Sequence, residues 1–518
     1  MPIVPANSLN TTALTVPNLY VQIIPPQAAL NGVPSNIIGV VGAASWGPLN
    51  TPTVFGSYAE YNSIYGPVLN LTYDMGTAVA LASQQGATSF VGVRVSDGTD
   101  VKASYVQGTP TADITYDALY SGTVGNSIQV TISNGGSTSS FNVQVSWPGV
   151  ATELFTNITG SGAAFWTNLA NAINNGQGPL RGPSRLITAT AGTGTDAPTV
   201  GSVTLAGGTN GTTTITSAII VGTDGTTPTG MYTLRGQNSS LLVLADLTDS
   251  TQWTVIDSFC KSEGTYGVVA LAAGETIAAA VTAVQTAGVD DPWLKIMHGD
   301  WLYWYDQVNA VTRLVSPQGV TAGILAALDP SQSSLNKQLS GVIGSQRLGL
   351  VGTTQLNAYS DADLSTLFTA GIDVVTWPAP GGPYWTVRGG INCSLNAAEN
   401  GDNYTRLTNY IAATLDSGMG IFIGQKITTT MDQEARATIS GFLSTLQQQG
   451  LLGSPTDPPP YTVVGGLGPN TPNPQSRTSL GYYQINVAVT YSPINRFFIV
   501  NLQGGQTVVT SQPLTPTA

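Results

Sequence analysis

The chain has 518 residues, of which 42% are hydrophobic, 60 are glycine and only 8% are charged, with a formal net charge of −12 at pH 7. Nucleic-acid-binding proteins need clustered lysine and arginine to displace counterions, so this balance argues against direct binding to nucleic acid. The two cysteines, Cys260 and Cys393, form no CxxC pair, which favours buried thiols in a reducing cytoplasm over a disulfide framework or a structural metal. The sequence contains no run of about 18 apolar residues and no apolar leader, so we expect no membrane insertion.

Neutral polar residues must cover most of the surface, because so few charged side chains are present. Soluble enzymes of this length normally stay dispersed through Lys, Glu, Asp and Arg. The shortage favours a surface that contacts other protein chains. Composition alone is equally compatible with a β-rich protein that has neutral polar faces. The length predicts several domains with ample cores.

The beginning of the chain predicts an extended arm followed by alternating strands and helices. The arm, residues 1–22, opens with polar, turn-rich sequence that has no period able to bury a face. Beyond residue 23, apolar runs and helical spacing predict the first part of an α/β domain that extends to residue 112. The predicted strands are 19–24, 37–41 and 90–95, and the predicted helices are 57–65 and 74–85.

Residues 113–215 have a different pattern and predict an inserted, β-sandwich-like domain. Short alternating strands, such as 128–132 and 141–145, are separated by Gly, Ser and Thr turns, with one helix near 165–173. The low-complexity stretch 188–229 keeps apolar residues at intervals, so it predicts strands and loops. We expect the domain to face outward, because its elements can close a core locally.

Residues 216–385 return to alternating helices and strands and predict the second part of the α/β domain. Such alternation is typical of a doubly wound, mainly parallel sheet. The predicted helices are 250–261, 275–286 and 362–369, and the predicted strands are 268–271, 294–297 and 372–377.

Residues 386–500 predict an α+β domain, and 501–518 a C-terminal arm. The strongest helix covers 431–449, where apolar residues share one face, Thr430 and Gln433 would form a capping box and Gly450 would end the helix. A helix at 405–415 and a strand at 421–423 precede it. Two further strands are predicted at 483–491, where apolar and polar residues alternate, and at 496–503.

Six segments in consistent order carry a resemblance to a known family. The segments are 17–22 (PNLYVQ), 39–42 (GVVG) with 46–52 (WGPLNTP), 120–126 (YSGTVGN), 205–211 (LAGGTNG), 292–294 (PWL) and 315–323 (VSPQGVTAG). They resemble the tail sheath protein of contractile-tailed bacteriophages and related contractile injection systems. Asn18 stands where that family usually has glycine, and Gln318 and Val320 stand where it usually has serine and histidine.

The resemblance implies a structural protein with a subtilisin-like central α/β domain. Members of the family stack as hexameric rings around an inner tube, and their contraction drives the tube through a target cell envelope. The implied partners are other copies of the chain, the tail tube protein, and baseplate and tail terminator proteins. The implied location is the virion tail, assembled in the host cytoplasm, and no cofactor is implied.

The sequence supplies little for catalysis. A Ser-His-Asp triad needs an imidazole base, and His298 is the only histidine. No GxSxG motif exists, and neither Ser258 nor Ser316 has supporting spacing. We therefore predict no enzyme, no catalytic residue and no metal site. The alternatives are a carbohydrate-degrading tail enzyme, for which Asp290, Asp291 and the aromatic segment 301–305 would be candidates, or a non-contractile virion surface protein.

Two sets of residues are the candidate assembly sites. Strand addition joins subunits through backbone hydrogen bonds, so we expect strand exchange at the termini and the last predicted strands. The candidates for strand exchange are Leu19, Tyr20, Val21, Ile485, Val487, Val489, Phe498, Val500 and Val508. By the family resemblance, residues 386–500 face the tube, with Lys426, Asp432, Glu434 and Arg436 as charged contacts.

Overall fold

The computed structural model describes residues 30–350, 358–453, 459–500 and 502, together with the backbone of 3–5 and 21–23. The chain divides into two compact units. One comprises Leu30–Gly424, and the other comprises Met1–Ala29 with Gln425–Ala518. The predictions at Leu19, Tyr20 and Val508 lie outside the described residues.

The first elements follow the predicted alternation. Helix α1 begins after Ser57, whose hydroxyl accepts from the amide of Glu60, and α2 begins after Asp74, whose carboxylate accepts from the amides of Gly76 and Thr77. Strands β1 and β2 pair in parallel. The bounds are β1 (Ile3–Pro5), β2 (Val21–Ile23), β3 (Ile38–Gly42), β4 (Thr53–Phe55), α1 (Tyr58–Tyr65), α2 (Met75–Gln84) and β5 (Phe90–Arg94).

The inserted region forms two antiparallel sheets around one helix. Phe155, Phe165 and Trp166 are fully buried in its core. The elements are β6 (Lys102–Gln107), β7 (Ile114–Ser121), β8 (Gln129–Asn134), β9 (Ser140–Trp147), β10 (Ala151–Thr159), α3 (Ala163–Asn175), β11 (Ile187–Ala191) and β12 (Gly201–Thr204). The sheet orders are β10-β9-β8-β12 and β11-β7-β6. Because β6 pairs with β7, this fold starts near Val101, which bridges to Thr209, and not at the predicted residue 113.

Arg94 links the segments at which the inserted region joins the α/β domain, which we call the root of the inserted region. Its side chain is buried at the end of β5 and donates to the carbonyls of Gly47 and Ser121, at 2.8 Å each. Gly122 lies so close to Ser45 that a Cβ would stand 2.0 Å from its carbonyl oxygen. Two of the segments that carry the family resemblance, 46–52 and 120–126, therefore meet at this root.

The second part of the larger unit completes the α/β alternation. Its bounds are α4 (Ser217–Val221), β13 (Leu241–Leu244), α5 (Trp253–Glu263), β14 (Tyr266–Ala270), α6 (Ile277–Ala287), β15 (Leu294–Met297), β16 (Leu302–Asp306), β17 (Val311–Val315), α7 (Pro317–Ala327), β18 (Val342–Ser345), β19 (Gly349–Leu350), α8 (Asp361–Thr369), β20 (Ile372–Asp373), β21 (Val375–Thr376), β22 (Thr386–Val387) and α9 (Asp402–Met419).

These strands build a seven-stranded sheet with the order β20-β15-β14-β13-β3-β5-β4. All neighbours pair in parallel except β4, which runs antiparallel to β5. One hydrophobic cluster includes α2 and α7, and another includes α5, α6 and α8. The sheet is therefore covered on both faces, as the prediction of a doubly wound sheet requires.

Helix α7 was not predicted, although it contains residues 317–323 of the VSPQGVTAG segment. Ser316 caps it, and its residues 317–326 are all buried, so the sequence shows no polar face and no helical period. Gly319 and Gly323 face α2, where a Cβ at Gly323 would lie 2.5 Å from the Cα of Ala82. The two glycines of this segment permit close packing of the two helices.

A buried ion-pair network fixes α9 to the central sheet. The Lys295 ammonium on β15 lies 2.6 Å from the Asp373 carboxylate and 3.0 Å from that of Asp402, and all three side chains are fully buried. Tyr266 donates to Asp402 as well. Removing one member of such a network costs about 3–5 kcal/mol. The network explains why the larger unit extends to Gly424, beyond the predicted boundary at residue 386.

The described C-terminal elements of the smaller unit are α10 (Thr429–Gln448), β23 (Tyr461–Val464), α11 (Gln475–Thr478) and β24 (Asn486–Val489). The predicted helix at 431–449 is present, but Thr428 caps it instead of Thr430, because α10 begins two residues earlier. The predicted strand at 421–423 is wrong. Gly420–Phe422 form a 3-10 turn, and Ile423 is 85% exposed, so this apolar run finds no neighbouring strand.

We expect the inserted region to be dispensable for assembly. Val101 and Thr209 exchange backbone hydrogen bonds, so deletion of 102–208 can be closed by a short linker. The deletion uncovers Trp46, which packs on Tyr120 and Trp147, so it should carry Trp46→Ser. The shortened protein should remain soluble by size-exclusion chromatography and should polymerise in electron micrographs.

Full-length Trp46→Ser is the control for that deletion. A shortened protein that folds, as judged by circular dichroism, and yet never polymerises while the control does would show that the inserted region belongs to the lattice.

Candidate assembly surface

Strands β23 and β24 form a two-stranded sheet in the described part of the chain, and Tyr491, two residues beyond β24, makes an isolated antiparallel bridge to Leu452. The register joins Tyr461 to Val489 and Val463 to Val487. In the part of the chain that the structure describes, the two strands form no sheet with any other strand. A sheet of two strands is only marginally stable alone and normally needs further strands.

The two faces of this sheet differ. Tyr461, Val463, Val487 and Val489 share a half-buried face, and the Tyr461 hydroxyl donates to the Ser440 carbonyl of α10. Thr462, Val464, Asn486 and Ala488 form the other face and are exposed. The predicted alternation of Ile485, Val487 and Val489 therefore matches the structure.

Residues 497–500 and 502 are apolar, and the described chain leaves their side chains exposed. Of the strand predicted at 496–503, the described residues 496–500 form no strand in the single chain. A strand requires a hydrogen-bonded partner strand, and no described strand pairs with residues 497–500. Pairing of this segment with a neighbouring subunit stays a prediction. The exposed fractions are 85% for Phe497, 83% for Phe498, 79% for Ile499, 70% for Val500 and 90% for Leu502.

The candidates for strand exchange fall into three groups. Ile485, Val487 and Val489 lie in or next to β24, and Phe498 and Val500 are among the exposed apolar residues at 497–500 and 502. Val21 lies in β2, for which the structure gives the backbone only. Contiguous exposed apolar residues of this size mark contact surfaces in soluble proteins.

Asp432, a predicted tube contact, lies inside the smaller unit. Its side chain is 3% exposed and pairs with Arg436 at 2.5 Å. The amide of Gly466 and the hydroxyl of Tyr483 also donate to it, at 2.6 and 2.5 Å. Asp432 therefore joins α10 to two distant loops and is not an exposed charge, which corrects the prediction. Lys426 and Glu434 are exposed, and Arg436 is partly exposed.

The groups around Asp432 lower the pKa of its carboxyl group. Burial raises the pKa of the Asp432 carboxyl, but the hydrogen bonds from Arg436, Tyr483 and Gly466 outweigh burial and hold this pKa below its usual value. A carboxyl group whose pKa is lower in the folded state than in the unfolded state stabilises the fold at pH values above the unfolded pKa. This stabilisation is lost as the pH falls from the unfolded pKa through the folded pKa.

His298 lies in a polar cluster with Tyr359 and Asp300, and the hydroxyl of Ser345 donates to the same Asp300 carboxylate. Its Nδ1 is 2.9 Å from the hydroxyl of Tyr359, which also donates to Asp300. Burial lowers the pKa of His298 to about 4, so the imidazole is neutral at pH 7. Ser258 donates to a carbonyl of its own helix, and Ser316 caps α7.

The candidates for a carbohydrate-degrading site, Asp290, Asp291 and the aromatic segment 301–305, make contacts within the fold. Asp290 accepts from the amide of Leu395, and Asp291 lies 3.8 Å from Lys261. Trp304 on β16 is buried and donates to Gln84. Among the described residues, no group of three or more His, Cys, Asp or Glu side chains is placed to hold a metal ion. No helix in the described ranges has the length and apolar character needed to cross a membrane.

Comparison with known proteins gives a structural match. No protein-family model and no curated protein matches the chain. The sheath tail protein of Listeria innocua has 16% sequence identity and a TM-score of 0.59, covering 83% of this chain and 88% of its own. The sheath tail protein of Desulfitobacterium hafniense has 16% identity and a TM-score of 0.56, covering 86% and 93%.

A third solved structure is the sheath of an extracellular contractile injection system, PVC, in its contracted state. It has 14% identity and a TM-score of 0.55, and the match covers 96% of this chain and 99% of that one. The chain therefore has the fold of contractile tail sheath proteins. This result confirms, at the level of the fold, the resemblance carried by the six sequence segments.

Asp432→Asn should destabilise the smaller unit by about 3 kcal/mol at pH 7, because it removes a buried, charge-assisted network. The difference from wild type should shrink as pH falls below about 4, where the unfolded carboxyl becomes protonated. Urea unfolding at several pH values measures this stability difference. The control is Glu434→Gln, a substitution at an exposed position of the same helix. A deficit that stays constant down to pH 2.5 would contradict the role of the Asp432 charge.

Proposed function

We propose that this protein is the structural subunit of a contractile tail sheath. Copies stack as hexameric rings around an inner tube, and contraction drives the tube through the envelope of a target cell. The observation that carries the proposal is the combination of a sheath fold with the β23–β24 sheet, which no other described strand extends, and the exposed apolar side chains at 497–500 and 502 in the same unit.

The outer edges of the β23–β24 sheet fit strands from neighbouring copies of the chain. Added strands would satisfy the backbone groups of β23 and β24 and would extend the sheet over α10. Burying one large apolar side chain contributes about 1.5–3 kcal/mol. Residues 497–500 and 502 offer five such side chains to a neighbour.

The edges also lack the features that normally prevent edge-to-edge pairing. Monomeric proteins protect edge strands with lysine, proline or inward-pointing charges. Neither β23 (YTVV) nor β24 (NVAV) contains any of these, and 497–502 (FFIVNL) contains none either. These segments therefore suit strand pairing between subunits better than they suit an isolated monomer.

The two arms, 1–22 and 501–518, are the proposed donors, with Leu19, Tyr20, Val21 and Val508 as contacts. Because the links are backbone hydrogen bonds at the termini, the larger unit can rotate as a rigid body while the links persist. No cofactor or fuel enters this mechanism, since the energy of contraction would be stored in the assembled lattice.

The proposed partners are other copies of the chain, the tail tube protein, and baseplate and tail terminator proteins. A matching chain belongs to the baseplate of the anti-feeding prophage, with 12% identity and a TM-score of 0.52, covering 95% of this chain and 100% of that one, which supports baseplate association. The proposed location is the virion tail, assembled in the host cytoplasm. Residues 386–500 would face the tube.

Phe498→Ser should prevent polymerisation and leave monomer melting within about 1 °C of wild type, because the side chain is 83% exposed in the single chain. Removal of 504–518, or Val508→Pro, should act in the same way. The assay is sedimentation of polymer with electron microscopy of the pellet.

The control for that assay is Leu180→Ser in the inserted region, which removes a similarly exposed apolar side chain, 77% exposed. Regular tubes formed by Phe498→Ser and by the truncated chain would contradict strand exchange. Single particles from the wild-type chain under all assembly conditions would favour the carbohydrate-degrading enzyme or a non-contractile surface protein.

The tube contact should be sensitive to salt, because the exposed charges available on and near α10 are Lys426 and Glu434. Lys426→Glu with Glu434→Lys should weaken binding of polymer to tube roughly tenfold in a co-sedimentation assay without changing monomer melting. Arg436 is unsuitable for this test because it neutralises buried Asp432. Unchanged binding by the double variant would place the tube on another surface.

A further inference from the structure

The net negative charge of this protein lies in one of its two units. Residues 30–424 carry 25 acidic and 12 basic side chains, a formal charge of −13. Residues 1–29 and 425–518 carry 3 acidic and 4 basic side chains, a formal charge of +1. The unit that holds the proposed assembly surface is therefore nearly neutral, and the other unit is strongly acidic.

The segments proposed to join subunits contain no charged side chain at all. Residues 1–29 have none, and Arg496 is the last charged residue before the C-terminus. Strands β23 and β24 also have none. Side chains of these segments therefore cannot form an ion pair between subunits.

The cations of the acidic unit are largely used inside the chain. Arg94 and Arg406 are buried and donate to backbone carbonyls. Six others form ion pairs with carboxylates of the same unit: Arg181, Arg235, Lys261, Lys295, Arg313 and Arg347. Few basic side chains of this unit remain to meet the carboxylates of a neighbouring copy.

We infer that copies of this chain are joined through a charge-free contact, made of backbone hydrogen bonds and apolar side chains, while their acidic units repel one another. The inference rests on the proposed sheath function and specifies the chemistry of its lattice. Salt should then strengthen the polymer. Interactions between charges are screened beyond about 30 Å at 0.01 M salt and beyond about 3 Å at 1 M.

The test is the critical concentration for polymerisation of the full-length protein in 10 mM, 100 mM and 1 M NaCl, measured by sedimentation, with electron microscopy to confirm regular tubes. The critical concentration should fall at least threefold over this range. A rise of tenfold or more would show that ion pairs hold the lattice and would overturn the inference alone. Absence of tubes at every salt concentration would overturn the proposed function as well.

Two variants separate charge repulsion from general salting-out. Gln285→Lys, on the exposed side of α6, makes the acidic unit less negative. It should lower the critical concentration at 10 mM NaCl and have no effect at 1 M, where charges are screened. An equal effect at both salt concentrations, or no effect at 10 mM, would contradict repulsion between the acidic units.

Val500→Lys and Val500→Thr test the charge-free contact. Val500 is 70% exposed in the single chain, so both variants should fold, with unchanged monomer melting. Val500→Lys should raise the critical concentration at least tenfold more than Val500→Thr, because an unpaired charge would be buried between subunits. Equal assembly by the two variants would show that the contact accepts charge and would overturn this part of the inference.

Discussion

Unpaired backbone groups are the constraint on which the proposed assembly depends. Every buried N–H and C=O group needs a hydrogen-bond partner, and strand edges acquire theirs from another strand or from water. In the described chain, β23 and β24 supply partners to each other along one side only. The apolar side chains at 497–500 and 502 likewise stay exposed to solvent, because no part of the described chain covers them. Both requirements are met together if the smaller unit folds completely only in a polymer.

The larger unit is held together by an extensive core and by polar contacts within itself. Its sheet is covered on both faces, α7 packs closely against α2, and the Lys295 network secures α9. Arg94 attaches the inserted region by donating hydrogen bonds to three backbone carbonyls, those of Gly47, Ser121 and Asn210. In the proposed sheath, such a unit would move as a rigid body, and the charge-free contact would keep the subunits attached. The uneven distribution of charge between the units follows the same division of roles.

Sequence reasoning succeeded where a local period reflects burial on one side. Helix α10 and strand β24 are present because their alternation of apolar and polar residues matches a half-buried surface. Helix α7 was missed because every face of it is buried, and buried helices show no period. The strand predicted at 421–423 was wrong because three apolar residues in succession do not reveal whether a neighbouring strand exists. The subtilisin-like description of the central domain remains a prediction.

The candidate site was predictable as a region but not in its details. The sequence places Asp432 on α10 but does not show that it faces inward, because Gly466 and Tyr483, which hold it, lie 34 and 51 residues away. The strand at 496–503 was predicted as a strand-exchange segment, and its pairing depends on a partner strand that the local sequence pattern does not encode. Cryo-electron microscopy of the assembled polymer tests the central claim most directly. We predict that β23 and β24 will be flanked by strands from neighbouring subunits, with 497–502 buried. A two-stranded sheet in the polymer, with 497–502 still exposed to solvent, would contradict this account.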